Sequence, residues 1–168
     1  ELNFILLKEP NMIYSTATLP VNAPGQTRLT RAQVWEGLVQ KARDAKLFFP
    51  PDECTRCEIV EESDSHWLRE ATILGDDVTE IITFDAETKI TFFQVTSPRE
   101  GVIINELFED ENGDLQLRFY CYLGLRGKAA HGPEEQAAQA WMDSDQGFKA
   151  AIQSTLKRIR ELLDEGKV

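Results

Sequence analysis

The sequence has no run of apolar residues long enough to cross a bilayer. Its longest near the start is Phe4 to Leu7, far short of the roughly 18 residues a spanning helix needs and of a secretory core. Positive charge is in short supply: 18 Lys and Arg stand against 29 Asp and Glu, a net −11 that repels nucleic acid and anionic membrane surfaces. Cysteine is scarce as well. Cys54, Cys57 and Cys121 cannot all pair with one another, and a domain of this size needs no covalent staples, so a reduced, cytoplasmic setting fits. No Gly-x-Gly-x-x-Gly, phosphate-cradling loop or Gly-x-Ser-x-Gly elbow occurs, which argues against familiar nucleotide-driven chemistry and serine hydrolysis and leaves no cofactor indicated. Neither a fixed repeat nor a Gly/Ser-rich or Pro-rich linker divides the 168 residues, so one domain is expected over residues 12–168. Residues 1–11 show no clear period; they read as an appended segment or the remnant of a longer natural end and receive no function.

What is present is a globular mixture, 42% apolar and 28% charged, with nine Phe, three Trp and three Tyr to give a core bulk. Met12 to Val21 reads as a strand ended by Pro20 and the Asn22–Gly25 turn cluster. Thr30 with Gln33 forms a capping-box pattern, after which Trp35, Leu38, Val39, Ala42 and Ala45 share one helical face. Six short strands separated by turn residues follow, at Cys57–Glu62, His66–Leu74, Val78–Phe84, Lys89–Val95, Val102–Glu109 and Leu115–Leu125, spaced as an antiparallel meander. From Pro133 to about Glu165 a long helix is expected, carrying Trp141, Phe148, Ile152, Leu156, Ile159 and Leu163 as its apolar stripe, with Asp143–Gly147 a point of bending or interruption. The parts assemble as an α+β fold, a strongly curved seven-stranded antiparallel sheet closed over the terminal helix. A helix laid across a curved sheet touches mainly at its edges, so the space between is filled by large side chains or left for a ligand.

These elements resemble the START-like or Bet v 1-like helix-grip superfamily (SRPBCC), and within it the AtaL-like group of small bacterial and fungal proteins. The resemblance extends from about Met12 to Val168. It rests on Leu19–Asn22, on Leu29–Leu38 with its Trp35-Glu36-Gly37-Leu38 stretch running on to Lys41-Ala42-Arg43, on Arg69-Glu70 and Glu80, and on the ending Ile159–Lys167. The resemblance implies a hydrophobic pocket and, for fungal members, a place beside biosynthetic clusters for peptide- or polyketide-derived metabolites. It implies no agreed reaction.

Arg69, Glu70 and Glu80 lie on neighbouring strands that can bring a guanidinium and carboxylates together. Glu80 shares parity with Val78, Ile82 and Phe84 and is expected to point inward, where an apolar setting suits an acid or base. The competing role is a structural ion pair or a solvated rim. Arg69 and Glu70 have opposite parity, so both cannot face inward without a bulge. Glu106 aligns with Val102, Ile104 and Phe108 as a further inward candidate, although the companion row Ile103, Asn105 and Leu107 is nearly as apolar and leaves its face ambiguous. Leu117, Phe119, Cys121, Leu123, Trp141, Phe148 and Ile152 are expected to line a pocket or fill the core, with Tyr120 and Tyr122 on the other face.

Cys54-x-x-Cys57 has the spacing of a zinc half-site, but four ligands are required and only Cys121, His66 and His131 remain, so no metal is assigned. Cys57 is expected to pack inward from the start of a strand and Cys54 to lie in the loop before it, while His66 and His131 sit beside turns. The residues thus point to a domain that binds a medium-sized, largely apolar or amphipathic metabolite and promotes a cofactor-free cyclisation, dehydration or isomerisation. A non-catalytic carrier and a protein-interaction module are the alternatives. A homodimer is compatible with either, and neither nucleic acid nor membrane insertion is expected.

Overall fold

The computed structural model describes residues 12–168, so the expectation for residues 1–11 lies outside the described part. The elements run β1 (Ile13–Pro20), α1 (Arg31–Arg43), a short 3-10 turn (Ala45–Leu47), β2 (Cys54–Glu62), β3 (Trp67–Ile73), β4 (Asp76–Asp85), β5 (Lys89–Thr96), β6 (Arg99–Glu109), β7 (Leu115–Leu125), α2 (Pro133–Asp143) and α3 (Phe148–Asp164). All seven strands form one antiparallel sheet in the order β1-β7-β6-β5-β4-β3-β2. Strands β2 to β7 make a meander, and β1 closes onto β7, so the first two strands in sequence occupy opposite edges. The segment holding α1 must therefore cross the whole sheet to join them, and this crossing places α1 above the centre of one face.

That face is the core side. Alternation along β7 sends Leu117, Phe119, Cys121 and Leu123 inward, where all are buried. Leu117 and Phe119 join Ile152, Leu156, Ile159 and Leu162 of α3 and Val34, Leu38 and Ala42 of α1, while Cys121 and Leu123 form a second cluster with Ile13 that Ala138 and Met142 of α2 and Phe148 cover. Helix α1 starts where the capping box sets it: Thr30 Oγ1 accepts from the Gln33 amide and the Gln33 side chain accepts from the Thr30 amide. Its crossing with α3 is close because Gly37 has no side chain; a Cβ there would fall on Ile159.

Three sequence expectations need correction. The helical stretch from Pro133 to Glu165 breaks at Ser144–Gly147, within the Asp143–Gly147 segment expected to bend or interrupt it, and forms two helices. Ser144 folds its hydroxyl and amide back on the Trp141 carbonyl, and at Gly147 a Cβ would run into the Met142 backbone. The break puts α2 out of phase with α3, so Trp141, expected in one stripe with Phe148 and Ile152, is 55% exposed, whereas Ile152 is fully buried. At the end of α3, Leu162 rather than Leu163 is the deeply buried leucine. Finally, β2 begins at Cys54, which is buried within the strand and not in a preceding loop. A register shift between Cys54 and Arg56 accommodates the extension.

Candidate functional site

The pairing register fixes which side chains meet on the core face. Arg69 stands opposite Glu80, and Glu80 opposite Gln94; one strand further along, Ile90 stands opposite Asn105 and Asn105 opposite Phe119. A line of polar groups thus enters a layer otherwise built of Ile82, Ile90, Phe92 and Phe119.

Arg69 and Glu80 are each 5% exposed. Arg69 Nη2 donates to Glu80 Oε1 at 2.6 Å and Nε donates to the same oxygen at 3.3 Å. Its Nη1 donates to the carbonyls of Lys41 and Ala42 at 3.3 and 3.0 Å, two of the acceptors that the C-terminal turn of α1 leaves without helical partners. Gln94 Nε2 completes the set by donating to Glu80 Oε2 at 2.8 Å. Both carboxylate oxygens are therefore engaged, and the guanidinium is turned to a structural task, tying the sheet to the end of α1. Gln94 Oε1 is buried and finds no hydrogen-bond partner among the described residues, leaving one acceptor of the cluster open.

Above these groups lies Lys41. Its Nζ donates to Asn105 Oδ1 at 2.9 Å and sits 4.5 Å from the centre of the Phe119 ring and 5.8 Å from that of Phe92. Arg69 stacks over the same Phe92 ring at 5.2 Å. Among the described residues no carboxylate lies within ion-pair distance of Lys41. Burial of the amine, reinforced by the like charge of Arg69 and opposed by Glu80, lowers its pKa from 10.5 to about 7. The residue as a whole keeps partial exposure although its amine is buried. Trp35, Phe84, Phe148 and Ala151 likewise remain only partly buried where they pack on the core.

The residues expected from sequence divide between two faces. Arg69 and Glu80 meet on the core face. Glu70 faces the other way and pairs with Arg56 at 2.7 Å. Glu106 also lies on the outer face, paired with Arg118 at 3.2 Å, because β6 turns Ile103, Asn105 and Leu107 inward rather than Val102, Ile104 and Phe108. Glu106 and Arg118 border an outer groove of about 550 Å³ with Tyr14, Thr16 and Thr18 of β1 and Tyr120 and Tyr122 of β7. Leu117, Phe119, Cys121, Leu123 and Ile152 are buried; Phe148 meets Phe119 edge to face at 6.3 Å; Trp141 stands outside. Burial pushes the Cys121 thiol up, which suits a core residue rather than a nucleophile. Cys57 Sγ accepts from the Ala45 amide, Cys54 Sγ donates to the Arg56 carbonyl, and no metal-ligating cluster forms among the described residues. His131 is exposed, and His66 is held by Ser63 and Ser65 beside its turn.

Sequence reasoning missed Lys41, Gln94 and Asn105 as site residues. Each had a signal: Lys41 follows Leu38 by three and Val34 by seven on the buried side of α1, and Gln94 and Asn105 continue the inward rows of Phe92 and Ile103.

The family model described as acetylaranotin biosynthesis cluster protein L, AtaL, matches residues 15–166, which is nearly the whole chain. The chain belongs to the AtaL family. Three solved structures share the helix-grip fold of this AtaL-family domain. The Zhui aromatase/cyclase from Streptomyces sp. R1128 is 18% identical with a TM-score of 0.67, over 90% of this chain and 96% of that one. TTHA0849 from Thermus thermophilus is 13% identical with a TM-score of 0.60, over 94% and 99%. XoxI from Bacillus cereus is 12% identical with a TM-score of 0.58, over 89% and 94%. At these identities the likeness concerns the fold. No curated protein matches this sequence.

Proposed function

We propose that this AtaL-family domain binds a medium-sized, largely apolar metabolite of polyketide or peptide origin between its sheet and helices and promotes a cofactor-free cyclisation, dehydration or isomerisation. The observation that carries this reading is the set of five polar side chains, Lys41, Arg69, Glu80, Gln94 and Asn105, gathered on the core face among Phe92, Phe119 and Ile82. A folding domain gains little from so many buried polar groups, and one of them retains an unused acceptor. In an apolar surrounding such groups orient a ligand and stabilise charge that develops on it. The biosynthesis-cluster description of the family and the aromatase/cyclase among the structural neighbours support the same chemical class.

One observation favours a carrier instead. The Arg69–Glu80–Gln94 network is closed on itself, with both Glu80 oxygens occupied, which is the arrangement of a scaffold rather than of a free acid or base. Purifying the protein from its own host and weighing it by native mass spectrometry identifies the bound metabolite. Incubation with the precursor of that metabolite then separates the readings, since an enzyme releases a compound of changed mass or retention and a carrier returns it intact. Absence of any binding to such metabolites would remove both.

A further inference from the structure

Beyond the class of ligand, the geometry of one side chain bears on how the ligand reacts. Three features meet at Lys41. Its nitrogen lies over the Phe119 ring with the neutral amide of Asn105 as its polar partner. The anion on its side of the sheet, Glu80, spends both oxygens on Arg69 and Gln94. The neighbouring cation, Arg69, is held against α1 by the carbonyls of Lys41 and Ala42 and cannot swing away.

A lysine is a poor nucleophile while it is an ammonium, and two circumstances release the proton: removal from water and proximity to a second cation. Both hold here. The charged and titratable groups that face the amine are Arg69 from β3 and Glu80 from β4; β5, β6 and β7 present Phe92, Asn105 and Phe119, which do not titrate. The open acceptor on Gln94 lies in the same cluster and suits a ligand hydroxyl or N–H.

We propose that Lys41 is a covalent catalytic residue that condenses with a ketone or aldehyde carbonyl of the bound metabolite to form an iminium. This deepens the functional reading given above and rests on it. The step balances without a co-reactant. The nitrogen adds to the carbonyl carbon to give a carbinolamine, the C–O bond then breaks, and the oxygen leaves as water carrying two of the three protons of the original ammonium. The product keeps one N–H and the single positive charge. That charge acidifies the neighbouring C–H bond; loss of its proton to the water just released gives an enamine, a carbon nucleophile suited to ring closure. The ligand class is therefore a carbonyl compound with an enolisable neighbouring carbon, as a polyketide is.

The free amine fraction near neutrality supports the same assignment, because burial and Arg69 hold Lys41 at about 7. The test uses the full chain and benzoylacetone, an aryl β-diketone, as probe. Adducts are trapped with sodium cyanoborohydride, weighed intact and mapped by peptide, while tryptophan fluorescence reports binding. The expected result near pH 7.5 is an adduct on Lys41 equal to the diketone less one water plus the two hydrogens of reduction. It should form at least about tenfold faster than on Lys46 or Lys128, which stand exposed to solvent. Lys41→Met should abolish it. Asn105→Asp keeps the lysine and puts a carboxylate beside it, so the adduct should fall about tenfold at pH 7.5 and return at higher pH; this variant holds the test open if Lys41→Met misfolds. Binding with no adduct on Lys41, or adduct spread evenly over the lysines, overturns the covalent role and leaves the functional reading standing. Failure of the probe to bind overturns both.

Discussion

Arg69 joins two layers of the molecule through Glu80: the guanidinium that meets this carboxylate at 2.6 Å also holds the last carbonyls of α1, so the ion pair fixes the helix over the sheet. Breaking a buried pair from one side leaves an uncompensated charge, a loss of about 3–5 kcal/mol, whereas replacing both partners by apolar groups is far milder. Glu80→Leu should therefore lower the urea midpoint strongly, and the double change with Arg69→Met should recover much of the loss. If the two single losses simply add in a double-mutant cycle, the coupling described here is absent.

The close approach of α1 and α3 yields a second expectation. With no room for a Cβ at Gly37, Gly37→Ala should destabilise by about 1–3 kcal/mol despite the better helix propensity of alanine, and Ile159→Val should restore part of it. Chemical denaturation of the two variants and their combination checks this; a stabilising Gly37→Ala would refute the contact.

These two relationships mark how far the sequence can be read. The capping box at Thr30, the seven strands and the inward parity of Glu80 and Phe119 follow from local pattern, because a half-buried strand alternates and a helix start is spelled by its cap. Strand β6 is illegible in this respect: it runs inside the sheet, Ile104 is buried on the outer face as Leu107 is on the inner, and two apolar rows give no parity signal. Its pattern therefore turns Glu106 to the wrong side and hides Asn105. Trp141 is misplaced for another reason, since a heptad step to Phe148 means something only along an unbroken helix, and Gly147 ends that continuity. Lys41 is concealed by its type, because lysine on a helix ordinarily marks the solvent side.

Protonation of Lys41 makes stability depend on pH with a definite sign. The folded pKa, about 7, lies below the ordinary 10.5, so between these values the unfolded chain binds more protons and stability rises with pH; below 7 the whole penalty is present. Lys41→Met should thus gain on wild type more at pH 6 than at pH 10. Allowing for the partial exposure of the residue, the difference between the two pH values should be about 2 kcal/mol. Thermal unfolding of both proteins at each pH measures it, and a gain that grows with pH would contradict the assignment.

The two outer carboxylates provide a negative control. Glu70→Gln and Glu106→Gln remove exposed or half-exposed pairs with Arg56 and Arg118, which solvent screens and which contribute little, and neither touches the core face. Ligand affinity, read by calorimetry, should stay within about twofold of wild type. A large loss from Glu106→Gln would move the site to the outer groove beside Tyr120 and Tyr122.

The position of the ligand can be read directly from the three tryptophans. Trp35 and Trp67 both pack on Phe84, at 6.5 and 4.5 Å between ring centres, on the core side, whereas Trp141 stands exposed on α2. Titrating the protein with its metabolite, or with benzoylacetone in its place, while following the three indole N–H signals by NMR should shift those of Trp35 and Trp67 and leave that of Trp141 unmoved. A response confined to Trp141, or a saturable binding curve that moves none of the three, would contradict a binding site between sheet and helices.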